Sequence, residues 1–322
     1  MNCHCCSGPT KRFGRFENKN RVVQRYRCLH CGKTFSEDQP LQGVTIAKEK
    51  VAQIIRLFTE GVGVRATARL TDCHSHSVLN VLRTVGQACE NFHDRTMRNL
   101  TVQALQIDEL WSRVGISQKR TVPEDSERGD QYTFLALTTR EKLIVSHHTG
   151  KRDYENTDIF VADVAARING RVQITTDGWS AYPDTIRRYM LGRLDLAVCQ
   201  KNFEAPQTTV EAARRYSPAP FIGVTRTIKA GSPRRDLICT SHVERVNLSV
   251  RHFNKRFVRL GLGWSRKLEN HRFAISLFVC THNWCKVHST LGCTPAVGMK
   301  LTDPTWTIEE LIKRAANADK SD

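Results

Sequence analysis

Val102-Gln-Ala-Leu-Gln-Ile-Asp-Glu-Leu-Trp-Ser-Arg-Val114 alternates loosely between apolar and polar residues and is bordered by polar segments. That is the pattern of a strand, with Asp108 near its middle. Glu109, the next residue, is expected on the opposite face, because successive strand side chains alternate. Working outward, residues 132–138 and 142–149 read as two further strands joined by a turn at Thr139-Arg-Glu141. Residues 153–168 have helical periodicity, and 172–176 form a short β-branched strand that ends in Asp177-Gly178. After a less regular stretch, Ser241 is expected to cap a long basic helix with Glu244 at its third helical position. Three strands, a helix, a strand and a later helix is the order of a ribonuclease H-like fold. The fold class expected is therefore α/β and multidomain, with residues 101–318 as that domain.

In this fold order Asp108, Asp177 and Glu244 can meet in space although they are far apart in the chain. Three carboxylates supply hard oxygen ligands suited to two Mg2+ (or Mn2+) ions. Such a pair activates a water or a 3′-hydroxyl and stabilises the leaving oxygen of a phosphodiester. Each acid also has a plain structural reading. Asp108 could pair with an arginine, Asp177-Gly178 could be a turn, and Glu244 could complement a helix dipole. The argument rests on the three together.

The amino-terminal segment, 1–36, is rich in cysteine and carries eight Lys/Arg against one acid, Glu17. Cys3-x2-Cys6 and Cys28-x2-Cys31 are two thiolate knuckles separated by 21 residues. They read as a zinc ribbon holding one structural Zn2+, a fold too small to persist without metal. His4 and Cys5 leave open whether Cys5 replaces one of the four ligands. A linker spans 37–43, and residues 45–95 are helical. Apolar residues at 47, 51, 54, 55 and 58 make a stripe, which Gly61-Val-Gly63 breaks. A short helix over 64–70, a turn at 71–74 and a helix from Ser75 to Cys89 have the proportions of a helix-turn-helix. His76, Ser77, Asn80 and Arg83 would then face a DNA groove.

Three blocks resemble the catalytic blocks of insertion-sequence DDE transposases of the IS-one family. They are Gln106-Ile-Asp-Glu-Leu-Trp111, Thr176-Asp-Gly-Trp-Ser-Ala-Tyr182 and Ser241-His-Val-Glu-Arg-Val-Asn247. Thr281-His-Asn-Trp-Cys-Lys-Val-His-Ser-Thr-Leu291, followed by Thr294-Pro-Ala296, is similar to that family's closing block. His282-Asn283 departs from its more usual Tyr-Asn. The resemblance implies Asp108, Asp177 and Glu244 as the metal-binding triad. It also implies a basic residue seven positions after the glutamate; Arg251 stands there, where lysine is commoner. From Arg245 to Arg272 eight basic residues face one acid, Glu269, and Lys255, Arg256 and Arg259 among them are expected to contact phosphates. Trp179 and Trp264 are expected in the core rather than stacked on bases, and Cys280, His282, Cys285 and His288 as packed side chains rather than a second metal site.

Composition bounds the partners. The 322 residues carry 49 Lys+Arg against 32 Asp+Glu, a net charge of +17, which favours a polyanion. With the modules above, the polyanion is double-stranded DNA: transposon ends and target. Two ends must be paired, so a homodimer or higher oligomer is expected in the synaptic assembly. The longest apolar run, Phe273 to Cys280, is far short of the ~20 residues of a bilayer span, and no membrane partner is expected. No secretory signal follows Met1, and the 12 cysteines suit thiols or metal ligands in a reducing compartment. The location expected is a prokaryotic cytoplasm, on the nucleoid when DNA is bound. Two other functions fit less well: a zinc-ribbon and helix-turn-helix transcription regulator with an inactive catalytic domain, and a ribonuclease H-like nuclease that cuts without joining.

Overall fold

β5 (Ala104–Val114) is buried along its first four residues because it is flanked by strands on both sides. The computed structural model describes residues 3, 6, 8–18, 21–36, 41, 44, 46–204, 220–259 and 261–318. β5 pairs antiparallel with β6 (Gly129–Thr138), which pairs antiparallel with β7 (Ile144–Gly150). On its other side β5 is parallel to β9 (Val172–Thr176), and β9 is parallel to β10 (Leu194–Phe203). β11 (Phe221–Ala230) closes the edge, antiparallel to β10, so the order is β11-β10-β9-β5-β6-β7. Between β7 and β9, α4 (Tyr154–Arg167) begins at Asp153, whose carboxylate accepts from the Asn156 amide at 2.8 Å. Phe160 of α4 packs on Phe134 of β6 with ring centroids 5.5 Å apart. A two-residue pairing of β4 (Leu100–Thr101) with β8 (Ile168–Asn169) and the helix α5 (Tyr182–Met190) complete this region. It is one of two compact units, Met97–Val250 with Gly298–Leu301.

The second unit comprises Met1–Thr96, Arg251–Val297 and Thr302–Asp322. Its first part is a three-stranded antiparallel sheet of β1 (Thr10–Asn18), β2 (Arg21–Cys28) and β3 (Thr34–Ser36). The helices α1 (Lys48–Thr59), α2 (Val64–Thr71) and α3 (Ser75–Thr96) follow. Asp72, in the left-handed conformation (φ 50°), ends α2 and starts the turn into α3. Helix α3 runs past Cys89, the expected end, because Phe92 and His93 are still buried. Phe92 packs on the stacked pair Trp284 and Trp306.

The long basic helix expected from Ser241 is two helices. α6 (Ser241–Phe253) stops at Asn254, a buried residue whose Nδ2 donates to the Ala274 carbonyl at 3.0 Å. Its Oδ1 accepts from the Arg256 amide, capping a single 3-10 turn at Lys255–Phe257. Helix structure resumes at α7 (Leu268–Trp284), and the chain continues through the short α8 (Pro295–Gly298) to α9 (Ile308–Ala318). No helix of the described residues is long and apolar enough to cross a membrane.

Candidate active site

β5 and β9 stay in register from Ala104↔Gln173 to Ile107↔Thr176, where their pairing stops. Asp108 is the next residue on β5 and Asp177 the first beyond β9, so both carboxylates stand at the rim where the strands part. Asp177 Oδ1 accepts from the Trp179 amide at 3.0 Å, which fixes the turn. Asp108 Oδ2 accepts from Asn247 Nδ2 of α6 at 2.8 Å.

Glu109 leaves β5 on the opposite face, as alternation requires, and meets Arg152 Nε at 3.4 Å through its Oε1. Even so, oxygens of Asp108, Glu109 and Asp177 lie within 4.8 Å of one another. The reason is the position of Asp177. It lies off the end of its strand rather than on a face, so a short acid on one side of β5 and a longer one on the other both reach it.

Glu244 is set by the start of α6. The Thr240 carbonyl accepts from the Glu244 amide at 3.0 Å, and the Thr240 hydroxyl donates to Glu244 Oε1 at 2.7 Å. The cap is therefore Thr240, one residue earlier than Ser241. Gln106, fully buried, accepts through Oε1 from the amides of His242 and Val243 at 2.9 and 3.1 Å. These are two of the donors a helix start leaves unmet, and a β5 side chain satisfies them. Lys201 on β10 pairs with Glu244 Oε2. Among the described residues the acids that gather within 4.8 Å are Asp108, Glu109 and Asp177, without Glu244.

The gathering is electrostatically unfavourable for charged carboxylates. Burial, and then Asp177, pushes Asp108 up to about 7. The same two causes, in that order, push Glu109 up to about 8 despite Arg152. Asp177 is raised too, chiefly by burial. The phenol of Tyr182, fully buried, stands well above its usual range for the same reason and because Glu109 is near. Arg152 is the counter-charge: it reaches Asp177 Oδ2 at 3.5 Å and stacks 4.3 Å over the Trp179 ring. Trp179 is half-buried and donates through Nε1 to Thr157 Oγ1 at 3.1 Å. A hard divalent cation fits this donor set, since it would bring carboxylates together that otherwise repel.

The four predicted cysteines converge. Their sulfurs lie within 4.8 Å of one another, with Cys3 to Cys31 at 3.6 Å and Cys6 to Cys28 at 3.5 Å. A tetrahedral zinc thiolate centre puts its sulfurs about 3.8 Å apart, so the residues fit a structural zinc ion. The Cys31 amide, and after it that of His30, donates to Cys28 Sγ and draws that thiol down to about 6, while Cys6 and Cys31, which hydrogen-bond to the other thiols, stand above their ordinary value without a metal to share their charge. His4 and Cys5 lie outside the described residues.

On α3, His76, Asn80 and Arg83 are exposed and Ser77 is half-buried, while Val78, Val81, Leu82 and Val85 face inward. Arg83 pairs with Glu269 at 2.7 Å, an exposed ion pair of little energetic weight. Lys255 and Arg259 are exposed. Arg256 turns inward: Nη1 donates to Ser265 Oγ at 2.9 Å and Nη2 is shut off from solvent. Arg251 occupies the last turn of α6, half-buried, and donates to the Phe257 carbonyl at 3.3 Å. Trp264 is half-buried, like Trp179, so neither is fully enclosed in a core.

Sequence reasoning gave no role to Gln106, Arg152, Lys201 or Asn247. Gln106 and Asn247 lie inside two of the quoted blocks and were visible there. Arg152 and Lys201 carry no pattern of their own and are identified only by what they touch.

No protein-family model matches the chain, and no curated protein matches it. Among solved structures, the chain is similar to a cryo-EM structure of a piggyBac transposase synaptic complex with hairpin DNA. The identity is 11%, the TM-score 0.36, and the overlay covers 87% of this chain and 73% of that one. A likeness that slight carries no argument, and the reading below rests on the residues.

Proposed function

We propose that this chain is a DDE-type DNA transposase of an insertion sequence, similar to the IS-one family. The observation that carries the reading is the pair Asp108 and Asp177 at adjacent rims of parallel strands, joined by a helix whose start is tied to β5 through Gln106 and which bears Glu244. The central β5, the parallel β9 and β10 and the antiparallel β6 and β7 support a ribonuclease H-like reading of the catalytic segment, 101–318. The zinc ribbon, 1–36, and helix-turn-helix, 45–95, bind the terminal inverted repeats, with His76, Ser77 and Asn80 toward bases.

Asp108, Asp177 and Glu244 would hold two Mg2+ (or Mn2+) ions. The chemistry such ions would supply is charge for the attacking and leaving oxygens in cutting strands at each end and joining the 3′-hydroxyls to target DNA. The protein's own groups position that chemistry. Gln106 and Thr240 fix the start of α6, Asn247 orients Asp108, Arg152 pairs with Glu109 and Asp177, and Lys201 pairs with Glu244. No serine or tyrosine nucleophile is needed, because the attack is a direct transesterification. The working form is a homodimer or larger assembly that pairs two ends, in a prokaryotic cytoplasm.

The test uses supercoiled plasmid carrying the element's own ends, with Mg2+, scoring cleavage at the ends and joining to a second plasmid. Both activities should vanish in Asp108→Ala, Asp177→Ala and Glu244→Ala while end binding persists. Binding without cleavage by the wild type would instead indicate a regulator, and cleavage without joining a nuclease.

A further inference from the structure

Glu109 is only loosely held by the groups around it, the Arg152 guanidinium and the nearby Tyr182 phenol. Its side chain is 3% exposed, yet its ion pair with Arg152 is long, 3.4 Å, and Arg152 is divided between Glu109 and Asp177 at 3.5 Å. A carboxylate buried for structural reasons is ordinarily held by short, well-directed hydrogen bonds. This one faces two other acids instead, with an oxygen within 4.8 Å of theirs.

A second, independent observation concerns Asn247, which is 7% exposed. Its Nδ2 donates to Asp108 Oδ2 at 2.8 Å. In the charged form that a cation requires, Asp108 only accepts, so in that form the amide donates through Nδ2 and is not turned the other way round. Its Oδ1 is therefore fixed in place, buried, and without a hydrogen-bond partner among the described residues. A buried carbonyl oxygen left unmet on the side chain that holds Asp108 is the kind of group that a cation's bound water satisfies.

Glu244, by contrast, is fully occupied. One oxygen accepts from Thr240 and the other pairs with Lys201. The acids thus fall into two groups, three whose oxygens gather within 4.8 Å of one another and one tied down by Thr240 and Lys201.

We propose that Glu109 is a fourth acidic ligand, and that Asp108, Glu109 and Asp177 hold one divalent cation before DNA binds, with the Asn247 carbonyl facing that ion's water shell. Glu244 joins a second position only after it leaves Lys201. This rests on the transposase reading for the use of the ion, but not for its binding. Arg152 occupies the same carboxylates in the ion's absence and competes with it.

The experiment measures Mn2+ binding to the full-length, zinc-loaded chain without DNA, by the loss of the free-Mn2+ electron paramagnetic resonance signal. Mn2+ prefers oxygen ligands and does not compete for the thiolate site. The wild type should bind one Mn2+. Glu109→Gln should weaken it by about tenfold or more, the loss of one charged ligand from a site of three. Glu109→Asp, which keeps the charge, should recover part of that loss. Glu244→Gln should leave the first ion within about threefold, and Arg152→Ala should tighten it by at least about threefold, since a competing positive charge is removed. Circular dichroism of each variant establishes that it is folded; Glu109→Gln conserves shape and removes a buried charge.

Equal Mn2+ affinity of Glu109→Gln and wild type would overturn the proposal, as would a wild type that binds no Mn2+ without DNA. The plasmid assay separates the two readings. End cleavage that depends on Asp108, Asp177 and Glu244, together with Mn2+ binding indifferent to Glu109, would leave the transposase standing without this site. One Mn2+ lost in Glu109→Gln, with no cleavage by any preparation, would leave the site standing without the transposase.

Discussion

Asp108 and Glu109 are consecutive residues on opposite faces of one strand, and both are driven toward their neutral forms by burial and by Asp177. A carboxyl whose value in the folded chain stands above its ordinary one binds more protons folded than unfolded. Its contribution to stability is then complete below the ordinary value and is lost as the pH rises through the raised one. For Asp108 that window runs from 3.8 to about 7, and for Glu109 from 4.5 to about 8. Without added divalent ion, the protein should therefore lose stability between pH 5 and pH 8. Asp108→Asn, which cannot charge, should flatten that decline and be more stable than wild type at pH 8 by about 1–3 kcal/mol, read from urea unfolding at both pH values. An unchanged pH slope would show that the acids are not mutually strained. At this scale the sequence was legible in part. Asp108 and Asp177 were readable because each ends or interrupts an apolar strand, and a charge there has a site to serve. Glu109 was not, since alternation alone sends it away from its neighbour and only the end of β5–β9 pairing brings it back.

At the scale of elements, Gly86 shows what a single missing side chain permits. It sits in the middle of α3, where glycine is unfavourable by about 1 kcal/mol relative to alanine. A Cβ at this position would meet the Phe273 Cβ at 2.5 Å and the Phe273 carbonyl oxygen at 2.7 Å. The obstacle includes backbone of α7, so the two helices would have to separate rather than one side chain turn aside. Gly86→Ala should cost about 1–3 kcal/mol in urea unfolding in spite of its better helix propensity, and a gain in stability would refute the close approach. Periodicity made α1, α2, the start of α3 and α4 readable. The stretch before Ser241 was not, although it holds α5, β10 and β11. β11 is a mostly exposed edge strand, so burial imposed little alternation on Phe221–Ala230. The extent of the basic helix was also misjudged, because Asn254 ends it through a contact with Ala274, twenty residues away.

For the whole molecule the governing quantity is the net charge of +17, which no arrangement of the elements neutralises. Part of it is concentrated on the ribbon, where Arg12, Arg15, Val22, Gln24 and Tyr26 line a concavity of about 250 Å³. On β1 and β2, Arg25 and Arg27 stack over Phe13 at 5.8 and 5.5 Å. On the proposed function these arginines would contact phosphates, which carry affinity but little sequence information. Asn80, exposed on the outer stripe of α3, is the kind of side chain that reads a base edge. The two contributions separate in a salt titration. Binding of the wild type to an end duplex should weaken linearly on a log–log plot as salt rises, with a slope of about −0.9 for each phosphate contacted. Arg12→Ala with Arg15→Ala should make that slope shallower by about 1.8 and weaken end and scrambled duplexes alike. Asn80→Ala should leave the slope unchanged and lower the preference for the end duplex, by about 1–3 kcal/mol if its contact is bidentate. Fluorescence anisotropy at four salt concentrations measures all of these. A slope unaffected by the double arginine change would remove the ribbon from the DNA interface. A slope that fell in Asn80→Ala would mean that α3 grips the backbone instead of reading the groove, because only a lost phosphate contact changes the number of counterions released.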